Sequence, residues 1–403
     1  MIVNQWVPAA HKGDAIGDSA RRVRGLLRDM GHESELYALT VDDDLRHDVR
    51  PFTDPAAKRG QLTIFHYALP SPMTEAFASL GSGRVLQYHN VTPASYFAPY
   101  DPSLFRLASL GRDELATLAG RVDLALGDSE YNRQELERLG FDRTGVFPIA
   151  VDTARVTQPS RRPALDTLLD AGLVNFLFVG RIAPNKKIED LISWFHTYHT
   201  IFNPRSRLLL VGAQSGFERY LSSLHQLVGR LGASHVHFVG HVSDEELVAF
   251  YETADLFLCA SEHEGFCVPI VEAFYKQVPV LAYAATAVPS TMDGAGVLFE
   301  NRDPLQVAAL MDEIISNADL QDQIVDGQLA AVARLQSKDF AGTLLGFVDR
   351  ILASPRAPAP NVAFDFWGQF DAAQELEELR MYRPAIYQAL PPEVTRTKSE
   401  GRS

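Results

Sequence analysis

The sequence predicts an α/β chain of two Rossmann-like, doubly wound domains. Three observations carry that expectation. Short apolar runs of parallel-strand composition recur through the chain, helical patterns separate nearly all of them, and a polar stretch near the middle parts the runs into two series. A length of 403 residues suits two cores of ordinary size better than one.

In chain order, the first series of runs is Ile2–Val7, Glu35–Leu39, Leu62–Ala68, Arg84–His89, Val122–Gly127 and Gly145–Val151. The second is Asn175–Gly180, Arg207–Gly212, Val236–Gly240, Asp255–Ala260, Pro279–Tyr283 and Gly296–Glu300. Most hold consecutive β-branched, Leu or Phe residues, as strands covered on both faces do. Between them, Arg22–Met30, Ile188–Phe195 and Glu246–Thr253 repeat apolar residues with helical spacing. The polar join TARVTQPSRRPALD, beginning at Thr153, divides an N-terminal domain over 1–160 from a C-terminal domain over 161–353. Ser354–Val362 (SPRAPAPNV) then reads as an extended linker. It leads to a helix over Gln369–Tyr387 and a frayed tail, so 354–403 forms a third segment. Its Phe364, Phe366, Trp367 and Phe370 suit either a strap packing back on the N-terminal domain or a partner-binding helix.

Composition narrows the function. Asp plus Glu number 51 against 37 Lys plus Arg, a net charge of −14, which argues against a nucleic-acid partner. An anionic small ligand remains compatible, because a few cations in a crevice dominate the local field. The two cysteines, Cys259 and Cys267, make no disulfide framework and suit a reducing compartment. The opening MIVNQWVP is too short and wrongly flanked for a signal peptide, and no run has spanning length. The expectation is a cytoplasmic protein, soluble or peripheral to the inner face of the membrane.

Parallel sheets bind ligands beyond the carboxyl ends of their strands. After the run Asn175–Gly180 comes GRIAPNKKIEDLI, which places Arg181 and Lys186 in a strand-to-helix turn. A guanidinium fork and an ammonium there suit a diphosphate, although loop cations are commonly just solvated. After the run Asp255–Ala260 comes SEHEGFCVPIVEAF. Gly265 permits close approach of a ligand, and Pro269 suits a first helical turn. The amides of Phe266, Cys267 and Val268 then point outward at a helix start. Glu264 and Glu272 supply two carboxylates suited to sugar and ribose hydroxyls. Glu264 alone also fits an ordinary acid of the first turn.

EGFCVPIVE, with GRIAPNK upstream and FVGHVSDEELVAFYETADLFLCAS between, resembles the retaining glycosyltransferases of family 4, the group 1 glycosyltransferases of the GT-B fold. The ordered motifs extend from Val174 to about Leu310. The resemblance implies two domains facing a central cleft. Arg181 and Lys186 match the pair that holds the donor diphosphate, and Glu264 the acid on the donor sugar's hydroxyls. Gly265, Phe266, Cys267 and Val268 match the segment whose amides face that sugar, and Glu272 the acid on the ribose. Lys187 stands where many relatives have glycine, which leaves two lysines to choose between. His89, ending its strand run, matches the histidine near the donor's anomeric carbon, with His66 as the rival. Gly13 and Gly17, in HKGDAIGDSARRV, resemble the glycine-bearing first loop, and Asp152 falls where the hinge is braced.

The implied activity is that of a retaining hexosyltransferase. It moves sugar from a nucleotide-diphosphate donor to a glycan, lipid-linked or small-molecule acceptor with formation of an α-glycosidic bond, as in polysaccharide biosynthesis. Neither metal nor other cofactor is expected, since no DxD run stands at a strand end and Asp42–Asp44 read as a solvated loop. Arg21, Arg22, Arg24 and Arg28 suggest contact with an anionic lipid surface, or simply a solvated helix face. A nucleotide-sugar epimerase and a catalytically silent nucleotide-sugar-binding protein are the alternatives.

Overall fold

A computed structural model describes residues 1–11, 14–149, 151, 156, 172–353, 377, 380–381 and 384–389. The chain divides into two compact units, one formed by 1–94, 103–150 and 339–403 and the other by 95–102 and 151–338.

The first unit holds β1 (Val3–Ala10), β2 (Leu36–Val41), β3 (Arg50–Pro51), β4 (Leu62–Tyr67), β5 (Gly83–Tyr88), β6 (Leu124–Gly127) and β7 (Thr144–Val146). They form one parallel sheet in the order β3-β2-β1-β4-β5-β6-β7. Its helices include α1 (Ala15–Asp29), α2 (Met73–Ala78), α3 (Pro102–Thr117) and α4 (Glu130–Arg138). Strands β4 and β5 are buried along their whole length, as strands covered on both faces are.

The second unit holds β8 (Val174–Val179), β9 (Ser206–Val211), β10 (Val236–Gly240), β11 (Leu256–Cys259), β12 (Val280–Tyr283) and β13 (Val297–Phe299). Their order is β10-β9-β8-β11-β12-β13, again all parallel. Around them lie α5 (Ile188–Ile201), α6 (Glu218–Leu231), α7 (Asp244–Glu252), α8 (Val268–Tyr275), α9 (Val288–Met292), α10 (Pro304–Ser316) and α11 (Ala318–Gln336). One apolar core under this sheet includes Leu177, Leu209, Phe257, Ile270, Phe274 and Met292.

The observed division departs from the sequence boundaries. Helix α12 (Phe340–Ala353) belongs to the first unit and not to the C-terminal one, because Leu344, Phe347, Val348 and Ile351 pack into the core of Val3, Ile64, Val85 and Leu126. Gly145 makes room for it, since a Cβ there would lie 2.8 Å from the Phe347 ring. The short helix α13 (Pro384–Ala389) lies beside β2. Residues 354–376, with the aromatic cluster of Phe364 to Phe370, fall outside the described residues, as do Asp152, Gly13 and most of the join. No helix among the described residues is long and apolar enough to cross a membrane.

Candidate functional site

Each sheet reverses its winding once, between β1 and β4 in the first unit and between β8 and β11 in the second. A doubly wound sheet opens a crevice at that reversal, past the carboxyl ends of the two strands. Beyond β8 the chain makes a 3-10 turn over Pro184–Lys186 before α5. Strand ends come very close here. A Cβ at Gly212, which has φ +146°, would stand 2.0 Å from the carbonyl oxygen of Gly180.

Beyond β11 the chain forms the loop Ala260–Cys267 and enters α8 at Val268. The two loops meet in an ion pair between Lys186 Nζ and Glu264 Oε1. Glu264 is 8% exposed. Burial pulls the Lys186 ammonium toward deprotonation, but the Glu264 carboxylate, joined by the Cys267 and Cys259 sulfurs, holds the group above the ordinary lysine range. Lys187 turns away to Glu189, at 2.7 Å, so of the two neighbouring lysines it is Lys186 that meets the acid loop. The backbone N–H groups of Gly265, Phe266 and Cys267 find no backbone acceptor among the described residues. Cys267 caps α8 in the left-handed region, at φ 76° and ψ 67°, a conformation that costs a residue with a Cβ about 1–2 kcal/mol.

Residues that the sequence did not single out hold this loop in place. Asn185 accepts from Glu262 N–H at 2.9 Å and donates its side-chain amide to His263 O at 2.9 Å. Arg302 donates to Ala260 O at 2.8 Å and to Asp190 at 2.7 Å, and lies 3.1 Å from Glu262. Its guanidinium also stacks on Tyr283, 4.1 Å from the ring centre. The Glu264 N–H donates to Thr286 Oγ1 at 2.9 Å, and the Thr291 hydroxyl donates to Phe266 O. Because β8, β11, β12 and β13 are neighbours, their following segments converge, although they are far apart in sequence.

In the first unit, Gln5 within β1 and the ends of β4, β5 and β6 carry a buried polar chain. Gln5 Oε1 lies 2.9 Å from His66 Nε2, and His66 Nδ1 lies 2.8 Å from His89 Nε2. His89 Nδ1 lies 2.8 Å from Asp128 Oδ2, and Gln87 Nε2 donates to Asp128 Oδ1 at 2.7 Å and to Phe147 O at 2.9 Å. The two imidazoles are nearly parallel, within 6°. Burial, and next the neighbouring His89, hold His66 well below the ordinary histidine range, so its ring is neutral. The expected choice between His66 and His89 is therefore not a choice: both belong to one chain. Neither ring nitrogen of His89 is open, and its side chain is 1% exposed, which differs from a ring aimed outward at a ligand.

Residues 167–328 match the family model described as glycosyl transferases group 1. Over that stretch the chain is similar to the group 1 glycosyltransferases. The chain is 31% identical over 269 residues to a D-inositol 3-phosphate glycosyltransferase of Geodermatophilus obscurus, covering 64% of this chain and 57% of that protein. It is 28% identical over 223 residues to the O-antigen chain mannosyltransferase B of Escherichia coli, covering 54% and 57%. The match thus spans a little over half the length of these curated relatives. Among solved structures, Anabaena HepE with UDP and glucose superposes with a TM-score of 0.68 at 17% identity, covering 87% of this chain and 99% of that one. WaaG, a glycosyltransferase involved in lipopolysaccharide biosynthesis, superposes with a TM-score of 0.66 at 15% identity, covering 87% and 100%. These two likenesses concern the fold, and the fold is the GT-B type that the sequence predicts.

In the same unit, Arg181 stands on the segment between β8 and the turn that carries Lys186, its guanidinium 5.1 Å from the Phe217 ring centre. Glu272 is set deeper than the sequence suggests. It lies one turn inside α8, is 0% exposed and accepts from the Tyr251 hydroxyl at 2.9 Å, so it presents no surface to a ribose. In the other unit, Gly17 departs from the expected loop. Asp14 caps α1 by accepting from Gly17 N–H at 3.1 Å, so the helix has already begun there. The arginines of α1 are also engaged. Arg21 pairs with Asp18, Arg24 with Asp48, and Arg28 with Glu35 at 2.9 Å, which offsets the cationic face expected of this helix.

Proposed function

We propose that the chain is a retaining glycosyltransferase, moving a hexose from a nucleoside-diphosphate sugar to a glycan, lipid-linked or small-molecule acceptor with formation of an α bond. The observation that carries the reading is the Lys186–Glu264 pair at the winding reversal of the second sheet. It puts a cation suited to a diphosphate against a carboxylate suited to sugar hydroxyls. The family of residues 167–328 and the transferase names of the relatives support it.

On this reading Lys186 and Arg181 neutralise the departing diphosphate, and the N–H groups of Gly265, Phe266, Cys267 and Val268 at the start of α8 add donors aimed at the same charge. That set does the work a metal does elsewhere, so transfer proceeds without one. Glu264 leaves Lys186 for the sugar hydroxyls as the phosphate takes the ammonium. Glu272 reaches the ribose only by exchanging a protein partner for the ligand. His89, whose ring nitrogens are both bonded, acts in turnover through a fixed position and not as a proton carrier. Among the described residues, the strand-end carboxylates Asp42 and Asp128 are already bonded and suit no nucleophile. Same-face attack, with the leaving phosphate taking the acceptor's proton, then accounts for retention.

The test is a panel of UDP- and GDP-hexoses offered with soluble and lipid-linked acceptors, in EDTA, with the product's anomeric configuration read by NMR. An α-linked product formed in EDTA is expected. Conversion of the sugar with no acceptor present would mark an epimerase, and binding without turnover a silent protein.

A further inference from the structure

The sulfur atoms of Cys259 and Cys267 meet behind the acid loop. Cys259 ends β11 and is 2% exposed, whereas Cys267 is half-buried at the start of α8. Their sulfurs and a Glu264 oxygen all lie within 4.8 Å of one another. Cys267 holds this place in a left-handed conformation that suits glycine, so the strain is tolerated for what the side chain reaches. Both thiols rest on the same apolar core. No other cysteine is present in the chain to compete with the pair.

We infer that Cys259 and Cys267 form a reversible disulfide that clamps the loop carrying Glu264. Only Cys267 has surface for a small oxidant, so the reaction starts there. With a disulfide oxidant, the Cys267 sulfur attacks and breaks the oxidant's S–S bond, and one oxidant thiol leaves. Cys259 then attacks Cys267 Sγ, forming the protein disulfide and releasing the second thiol. Two electrons and both thiol protons pass to the oxidant. Access sets the first step, and the second is favoured by the hydrogen bond from the Cys267 S–H to Cys259, which pushes the Cys267 thiol up and the resolving Cys259 thiol down, toward the attacking thiolate. A divalent metal on the same three atoms is disfavoured, since the Lys186 ammonium already sits on Glu264. Bond formation needs an S–S distance of about 2.05 Å, which draws together the two ends of the segment Ala260–Phe266. Resting on the donor-site reading above, the clamp weakens donor binding by moving Glu264 relative to Lys186.

The experiment treats the full chain with oxidised glutathione and reads it by intact mass and peptide mapping. Hydrogen exchange of 260–268 and binding of UDP- and GDP-hexoses are measured before and after. The expected product has lost two hydrogens, links the Cys259 and Cys267 peptides, exchanges differently over 260–268, and returns to two titratable thiols with dithiothreitol. Cys259→Ala should stop at the glutathione adduct, and Cys267→Gly, which suits the backbone there, should not react. Persistence of two thiols, a stable glutathione adduct on the native chain, unchanged exchange in the loop, or zinc held by both sulfurs would each overturn the inference. Donor binding at least ten-fold weaker in the oxidised chain is expected, and unchanged binding overturns the clamp. If the reduced chain binds no nucleotide sugar while the disulfide and the loop change both appear, the donor reading fails and the thiol pair stands.

Discussion

Asp128→Asn probes whether the buried histidine chain is a positioned device or only packing. The Asp128 carboxylate can only accept, so His89 Nδ1, at 2.8 Å, carries a proton directed at it. Gln87 Nε2 is a fixed donor, since it also serves Phe147 O. Asparagine keeps the volume but has one acceptor oxygen. That oxygen is claimed by Gln87, so the new amide N–H2 faces His89 Nδ1, which must then accept and give up its proton. Two charge-assisted bonds become neutral ones, each weaker by about 1 kcal/mol, and relief of a buried charge returns part of the loss. A net destabilisation of about 1–2 kcal/mol follows, or a melting point lower by about 3–6 °C. Asp128→Ala, by contrast, strands two buried donors and costs about 3–5 kcal/mol. Nitrogen NMR of the imidazoles reads the proton on His89, thermal melting reads the cost, and turnover at saturating donor reads the function. The expected variant melts mildly lower, has lost the proton on His89 Nδ1, and turns over slowly with donor affinity intact. A protonated Nδ1 in the asparagine variant, or melting as low as the alanine variant, would refute the reasoning.

Lys186→Ala should weaken donor-nucleotide binding by roughly ten- to a hundred-fold, the loss of a charged hydrogen bond of about 1.5–3 kcal/mol. Lys186→Met combined with Glu264→Gln should melt higher than either single variant, because neither charge is then left without its partner; calorimetry decides. Arg302→Ala removes the brace to Ala260 O, Asp190 and Glu262. About 2–3 kcal/mol of stability and part of the donor affinity should go with it, although the variant touches no donor atom. Glu114 gives a pH-dependent test. Burial pushes its carboxyl up to about 8, against hydrogen bonds from Tyr67 and Ser71. The unfolded chain ionises near 4.5 while the fold keeps the proton, so this group's contribution falls as pH rises from about 4.5 to 8. Glu114→Gln should match the parent at pH 4.5 and exceed it by roughly 2–4 kcal/mol at pH 8 in denaturant titrations.

The strands were legible because parallel strands covered on both faces must be apolar without alternation, as in Leu208–Val211. Strand β3 was not, being two residues at a sheet edge with a proline in it. Helix α1 begins seven residues before the apolar pattern that revealed it, since Asp14, Asp18 and Arg21 make its first turns polar. Helix α12 has a plain apolar face in Leu344, Phe347, Val348 and Ile351, but a face does not say which core it enters. At the candidate site, Lys186 and Glu264 could be found because a strand end announces them. Arg302, Asn185 and Thr286 act through the convergence of neighbouring strand ends, and convergence is a property of strand order that no local pattern carries. Asp128 has no local signal, because its role depends on meeting His89 across two adjacent strands.

A diphosphate site needs cations, a sugar site needs carboxylates, and an unliganded protein must keep both where water is scarce. A half-buried charge with no partner is costly, and a flexible loop would relieve that cost by carrying the charge out to solvent. Here the two groups solve the problem for each other. Lys186 holds Glu264, while Arg302, Asn185, Thr286 and Thr291 hold the backbone on which Glu264 is carried. The loop can then stay formed in the absence of ligand, and a donor meets it by exchange of partners and not by folding it. On the proposed function, phosphate would replace carboxylate at the ammonium while hydroxyls replace ammonium at the carboxylate, so no charge would pass through an unpaired state. This exchange also explains why these braces bond the backbone of the loop and not the Glu264 carboxylate. A brace that bonded the Glu264 carboxylate itself would compete with the sugar, whereas one that bonds its backbone N–H, as Thr286 does, leaves the carboxylate available.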